Sequence, residues 1–150
     1  MTGKPSLVYV TYIESTAEKV WHALTDPDLT AAYWGHRNES DWQVGSGWGH
    51  MRNDGSGIAD VVGKVVESVP PTKLVTTWDD PADPEKSSRV TYKIQGHGEI
   101  VKLTVTHEDL WDAGALRDVS GGWPAVLSNL KSLLETGSPL SQEPWSMMAK

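Results

Sequence analysis

The fold is decided by residues 120–137, "SGGWPAVLSNLKSLLETG". Apolar side chains recur in this stretch at the spacing that places them on one face of a helix. The glycine pair at its start breaks the chain, Pro124 suits a first-turn position that needs no backbone N–H, and Gly137 is typical of the residue just past a helix end. We therefore predict a helix over 123–136 whose apolar face lies across a sheet. The apolar stripe consists of Trp123, Val126, Leu127, Leu130, Leu133 and Leu134.

One strand and two short helices are predicted near the start of the chain. Residues 7–13 are β-branched and aromatic with a period of two, which is typical of a strand. Ser15 or Thr16 can cap a helix, and Asp26 can cap a second helix that has Pro27 as its first residue. Two short helices therefore interrupt the strands early.

The middle of the chain predicts a meandering antiparallel sheet. Short apolar runs alternate there with Gly, Pro and Asn turn residues, and residues 79–88 form a polar separator. Within the last two runs apolar and polar residues alternate, so each strand has one buried face. The predicted strands are 41–44, 47–52, 58–69, 73–78, 89–94 and 99–107.

Composition and charge exclude several classes of partner. The formal net charge is −7 and no window concentrates Lys or Arg, so the positive surface needed for nucleic acid is missing. No apolar run is long enough to span a membrane, and the N-terminus lacks a signal-peptide core. The chain has no cysteine, which excludes a disulfide framework and fits a reducing cytoplasm. We expect a cytoplasmic protein that binds neither membrane nor nucleic acid.

No cofactor or metal site is expected. The five histidines are scattered without an i, i+4 pair, so a metal site would need distant strands. Residues 45–49, "GSGWG", suggest a phosphate loop, but no helix pattern follows them, and a hairpin turn is the better interpretation.

The tryptophans are the unusual feature of the composition. Eight occur, whereas phenylalanine is absent. Indoles seldom bury fully unless their N–H finds a partner, so they suit a groove-bearing interior. The alternative, that they simply replace phenylalanine in a solid core, remains open.

His107 is the polar residue on the predicted buried face that is a candidate for contacting a ligand. It continues the apolar face of the last strand, so its ring should point toward the long helix, where it needs a partner or a ligand. Bonding to a backbone carbonyl is the alternative. Candidate pocket residues, taken from element ends and inward faces, are Trp34, Trp48, His50, Trp78, Tyr92, His107, Trp111, Trp123 and Leu127, with Tyr33 as a further polar candidate.

Several local motifs together resemble one superfamily. They are "VWHALTDPDLTAAYW" (20–34), "WQVGSGW" (42–48), "VGKVVESVPPTKLVTTW" (62–78), "VTHEDL" (105–110) and "GGWPAVLSNLKSLLE" (121–135). With the order of predicted elements they resemble the SRPBCC (START-like) superfamily. The branch is similar to the C-terminal domain of the activator of the ninety-kilodalton heat-shock protein's ATPase.

The resemblance implies a fold and three functions. The fold is an α+β helix-grip domain over residues 1–137, with about seven curved antiparallel strands around the last helix, followed by a tail over 138–150.

The first function is non-catalytic binding of a small hydrophobic molecule in an elongated cavity between sheet and helix. The second is an accessory role beside a chaperone. The third is polyketide-cyclase-like or hydrolase-like catalysis with His107 as acid or base. Whether the chain is a monomer or a homodimer stays open.

Overall fold

The computed structural model describes residues 4–147, which form one sheet, three α-helices and a short 3₁₀ helix. The elements in chain order are β1 (Leu7–Glu14), α1 (Ala17–Thr25), α2 (Pro27–Trp34), β2 (His36–Glu39), β3 (Gly47–Arg52), β4 (Ala59–Val69), β5 (Lys73–Asp80), β6 (Asp83–His97), β7 (Ile100–Glu108), α3 (Ala113–Thr136) and the 3₁₀ helix Pro144–Met147. The strand order is β1-β7-β6-β5-β4-β3-β2, antiparallel throughout. The seven strands curl around α3, so the predicted α+β helix-grip fold is confirmed.

The two short helices begin at the predicted caps. Thr16 Oγ1 accepts a hydrogen bond from the Lys19 N–H at 3.2 Å, and Asp26 Oδ2 accepts one from the Leu29 N–H at 3.0 Å. Gly35 ends α2 with a φ of 78°, a left-handed conformation that glycine adopts without strain. This sharp end fixes the position of the residue before it, Trp34.

The inward faces of β6 and β7 form the core with α3. The predicted alternation holds, because the inward side chains are buried whereas their outward neighbours are partly or fully exposed. Burial of each large apolar side chain contributes about 1.5–3 kcal/mol. The central buried residues are Val90, Tyr92, Ile94, Val101, Leu103, Val105, Trp123, Leu127 and Leu130.

The long helix starts earlier than predicted. It begins at Ala113, where Asp112 Oδ1 accepts the Ala115 N–H at 2.8 Å, and it passes through Gly121, Gly122 and Pro124 without interruption. A proline inside a helix removes one hydrogen bond and costs about 3 kcal/mol. Packing of the apolar stripe against the sheet offsets this cost. A sequence prediction based on local helix-breaking residues does not include that packing.

Two sheet boundaries also differ from the prediction. Residues 41–44 lie in a loop, because Ser40 Oγ and Asp41 Oδ1 accept backbone N–H groups that a strand would use elsewhere. The strand at this edge is β2. Residues 79–88 extend β5 and β6 into a long hairpin with its turn at 81–82, and their polar side chains are exposed at the tip, whereas Ser88 is buried beside His107.

Residues 138–147 pack on the helices. Asn129, buried on α3, donates from Nδ2 to the Tyr33 carbonyl at 2.8 Å and accepts from the Leu140 N–H at 2.7 Å. The indole of Trp145 covers Gly35 and contacts the core. This segment therefore forms one side of the site described next.

Candidate functional site

Three indoles from three elements converge at one end of the sheet. Trp34 is the last residue of α2, Trp78 lies on β5, and Trp123 lies in the middle of α3. The ring centroid of Trp34 lies 5.9 Å from that of Trp78 and 5.4 Å from that of Trp123, and the last two lie 5.6 Å apart. Such stacked and tilted contacts fix ring orientation and add about 0.5–1.5 kcal/mol per pair.

An apolar cleft of ≈ 140 Å³ opens between these indoles and α3. We call it the tryptophan cleft. A dry cavity of similar volume in another protein admits benzene, so the cleft matches one aromatic ring. Its walls are Trp34, Trp78, Asp118, Val119, Gly122, Trp123 and Val126.

A second cleft of ≈ 200 Å³ lies on the other side of Trp34. We call it the histidine cleft, since two imidazoles form part of its wall. Trp34, Gly122 and Val126 border both clefts, so the two clefts adjoin at these residues. Beside Trp34, the described residues thus enclose two small adjoining clefts where one elongated cavity was expected. The walls of the second are Trp34, His36, His50, Gly122, Val126 and Trp145.

A hydrogen bond to Asn38 orients the His50 ring. The two residues are cross-strand partners on β3 and β2, so their side chains project to the same face. His50 Nδ1 lies 2.5 Å from Asn38 Oδ1, and the Asn38 backbone N–H donates to the Thr30 hydroxyl at 2.9 Å. Burial and the neighbouring His36 lower the pKa of His50 to about 3. The ring is therefore neutral at physiological pH.

A parallel imidazole supports His50 from its face. The ring centroids of His36 and His50 lie 4.0 Å apart with an interplanar angle of 6°. His36 Nε2 lies 2.8 Å from Asp60 Oδ2, and Arg52 donates to the same carboxylate at 2.9 Å. Arg52 and His36 lower the pKa of Asp60. This ion-paired edge keeps both rings in place.

His107 is saturated by internal hydrogen bonds. Trp123 donates its indole N–H to Nδ1 at 3.1 Å, so the ring proton is on Nε2, which donates to Ser88 Oγ at 2.8 Å. Ser88 donates in turn to the Trp78 carbonyl at 3.0 Å. Burial lowers the pKa of His107 to about 4. Neither nitrogen of this neutral ring is left over for a bound molecule.

The structure brings together some of the predicted pocket residues. Trp34, Trp78, Trp123 and His50 line the two clefts. Trp48 and Tyr92 surround a separate interior gap too narrow for water. Trp111 is partly exposed and borders neither cleft.

Two further candidates lie beneath the surface. Leu127 is buried in the core, and Tyr33 is buried with its hydroxyl donating to the Ala23 carbonyl at 2.9 Å. Desolvation raises the pKa of Tyr33 well above its usual value.

Several residues at the clefts were not among the sequence candidates. Asn38 and His36 acquire their roles from cross-strand pairing, Gly122 from its place beneath both clefts, and Trp145 from docking of the C-terminal segment. For Trp145, the sequence offered one indication of a role, namely a large apolar side chain in the C-terminal tail. Nothing in the local sequence distinguishes the other three.

The described residues offer no sign of a metal or a membrane segment. Within 4–147, no group of three or more His, Asp or Glu side chains is placed to hold a metal ion. No helix in the same range is long and apolar enough to cross a bilayer.

Solved structures with this fold come from diverse organisms. PFC0360w from Plasmodium falciparum, described as an HSP90 activator, is 24% identical with a TM-score of 0.72 over 86% of this chain and 95% of its own. The Aha1 dimer from Colwellia psychrerythraea is 21% identical with a TM-score of 0.73, over 89% and 98%. CalU16 from Micromonospora echinospora is 20% identical with a TM-score of 0.71, over 88% and 77%. At these identities the likeness establishes the fold alone.

Sequence comparison identifies the family. No curated protein matches the chain. The model of the family "Activator of Hsp90 ATPase homolog 1-like protein" matches residues 14–135, from the end of β1 almost to the end of α3. Since this match covers most of the sequence, the chain belongs to the family of activator of Hsp90 ATPase homolog 1-like proteins.

Proposed function

We propose that the protein binds a small hydrophobic or amphipathic molecule, without transforming it, in the two clefts beside Trp34. The observation that carries the proposal is the convergence of three indoles on an apolar cleft between sheet and helix. Binding sites for small molecules are typically concave and apolar with few polar groups. The cysteine-free sequence is compatible with a cytoplasmic setting for this role.

The size of the clefts sets the size of the molecule. Each cleft alone accommodates about one ring or a short chain, below the ~300 Å³ typical of sites for drug-sized ligands. Trp34 has the largest side chain of the three residues that border both clefts, so we propose that a rotation of this side chain would join them. We therefore propose a flat molecule of one to three rings, with Trp34 moving to admit the larger ones.

The hydrogen bonds in the site favour binding over catalysis. His107 uses both ring nitrogens internally, and the Ser88 hydroxyl donates to a carbonyl, so this pair is not poised as base and nucleophile. A cyclase-like or hydrolase-like role would require turnover that disappears in His107→Ala while the fold persists. We expect no such turnover.

The proposal is tested by filling the clefts. A Cβ added at Gly122 meets no heavy atom within 4 Å, so Gly122→Leu should occupy both clefts without displacing the core. Ser120→Leu, on the exposed face of the same helix, is the matched control. We expect naphthalene, indole or 2-naphthol to raise Tm and shift tryptophan emission in the parent protein and in the control, but not in Gly122→Leu. No response to any probe in the parent protein would contradict the proposal.

A second function is favoured by the family. We propose as the alternative an accessory role beside an Hsp90-type chaperone through the outer surface. Capture of the chaperone and stimulation of its ATPase would support this role. Stimulation that persists in Gly122→Leu would place the activity outside the clefts, whereas its absence in the parent protein would count against the alternative.

Self-association is proposed through the sheet edge. Within residues 4–147, β1 is an edge strand that exposes Val8, Val10 and Tyr12. Lys131 and Glu135 of α3 bond the backbone of Tyr12 and Glu14, so the first half of the strand is the part of the edge available for pairing. One structural relative is described as a dimer. Sedimentation of the parent protein against Val10→Lys tests this proposal, and a monomer at all concentrations would overturn it.

A further inference from the structure

We infer that His50 makes the site selective for flat molecules that carry a hydrogen-bond donor, such as a hydroxyl or an N–H on the ring. This inference rests on the proposed function, because it names the chemical class that the clefts would take.

The Asn38 carboxamide fixes the tautomer of His50. A carboxamide oxygen only accepts hydrogen bonds, so the proton of the neutral ring is on Nδ1, next to Asn38 Oδ1. Asn38 is itself held, since it is 2% exposed and its backbone N–H is bonded to Thr30. The lone pair of the ring is therefore on Nε2. Among residues 4–147, the one side-chain hydrogen bond of His50 is that of Nδ1 with Asn38, and Nε2 is not among the buried unpartnered atoms, so it retains accessible surface.

His50 is the wall residue of the histidine cleft best suited to accept a hydrogen bond from a bound ring. The indoles of Trp34 and Trp145 provide an apolar face and an N–H donor, and Val126 and Gly122 are apolar. The other imidazole, His36, is committed at Nε2 to Asp60, and its Nδ1 is buried away from the cleft space. A molecule in the histidine cleft thus meets indole faces and one nitrogen acceptor, whereas the Asp118 carboxylate borders the tryptophan cleft.

The lowered pKa of His50 keeps Nε2 unprotonated, so this nitrogen accepts hydrogen bonds. Burial and His36 hold the pKa of His50 near 3, so protonation does not convert Nε2 into a donor at physiological pH. A carboxylate ligand would place its negative charge against this lone pair and near Asp118, on a protein of net charge −7. Neutral donors are accordingly favoured over anions and over molecules that only accept.

Three probes of one shape separate these classes: 2-naphthol, 2-methoxynaphthalene and 2-naphthoate. We expect 2-naphthol to bind the parent protein about ten-fold more tightly than 2-methoxynaphthalene, which lacks the donor, and more tightly than 2-naphthoate. Equal binding of 2-naphthol and 2-methoxynaphthalene would overturn the inference while leaving the proposed function intact. Failure of every probe to bind would overturn both.

A matched pair of variants assigns the preference to His50. His50→Phe keeps an aromatic ring beside His36 but removes the acceptor, so we expect it to bind the two neutral probes equally. His22→Phe, on the exposed face of α1, should retain the ten-fold preference. A preference that survives in His50→Phe would contradict the assignment.

A spectroscopic measurement on the parent protein does not depend on the variant folding. Long-range ¹⁵N NMR distinguishes the protonated from the unprotonated nitrogen of each histidine. We expect an unprotonated Nε2 for His50 whose resonance shifts on addition of 2-naphthol and not on addition of 2-methoxynaphthalene. A protonated Nε2, or a resonance unaffected by 2-naphthol, would overturn the inference.

Discussion

Trp123 donates its indole N–H to Nδ1 of His107 at 3.1 Å, so a hydrogen bond joins the centre of α3 to the end of β7. Both side chains are buried, with 4% and 1% of their surfaces exposed. The bond satisfies the indole N–H that would otherwise limit burial of a tryptophan. It also orients one wall of the tryptophan cleft.

Replacing this donor should destabilise the fold. Trp123→Phe keeps an aromatic ring but leaves Nδ1 of His107 buried without a partner, which costs about 1–3 kcal/mol. Trp111→Phe, at a partly exposed position outside the core, is the control and should cost under about 0.5 kcal/mol. Urea unfolding followed by circular dichroism measures both. Equal losses in the two variants would show that the hydrogen bond contributes nothing specific.

The free energy of unfolding should fall in mild acid, at pH values above those at which carboxylates usually titrate. Burial lowers the pKa of His50 to about 3 and of His107 to about 4, whereas an unfolded histidine titrates near 6.5. The unfolded state therefore binds more protons between these values, and stability falls as pH drops below about 6.5. The slope approaches about 1.4 kcal/mol per pH unit for each histidine.

Urea unfolding at pH 7, 6 and 5 tests this dependence. His50→Phe should lose about half of the slope, because only one buried imidazole remains to take up a proton on unfolding. A stability that stays constant from pH 7 to 5 would be incompatible with two buried neutral histidines.

A methyl group at Gly63 should disrupt the sheet beneath Trp48. Its carbon would lie 2.2 Å from the Thr77 carbonyl oxygen and 2.6 Å from Trp48 Nε1, which donates to that oxygen at 2.7 Å. We expect Gly63→Ala to cost about 2 kcal/mol or more. Gly96→Ala, where an added carbon meets nothing within 4 Å, provides the control in the same thermal-unfolding assay. A change no larger than the control's would argue against this close approach.

Glycine at position 122, which borders both clefts, should make the fold less stable than alanine would at the same position. A glycine inside a helix is less stable than alanine by about 0.5–1 kcal/mol, and the space around this Cβ is open. Gly122→Ala should therefore raise stability by up to about 1 kcal/mol while weakening binding of 2-naphthol. Calorimetric unfolding and titration measure the two effects, and a destabilised variant would be inconsistent with an empty cleft.

Local sequence signals predicted most of the fold. The caps at Thr16 and Asp26, the alternation along β6 and β7, and the glycine at position 137 depend on contacts within a few residues of the chain. Such interactions are the same in any tertiary context, so they can be recognised in one sequence. The start of α3 was misjudged because the glycine pair and Pro124 predict a break when packing is left out.

The site depended on the tertiary structure. The sequence pointed to Trp34, Trp78 and Trp123 as wall residues, but not to the two clefts that adjoin at Trp34. It could not assign Asn38 as the partner of His50, because their juxtaposition comes from the register of β2 on β3. By itself the sequence determined most of the helices and strands and the buried faces of β6, β7 and α3. The clefts and the tautomers of the histidines were decided by packing between segments distant in the chain, since a hydrogen-bond partner or an empty volume exists only once those segments meet.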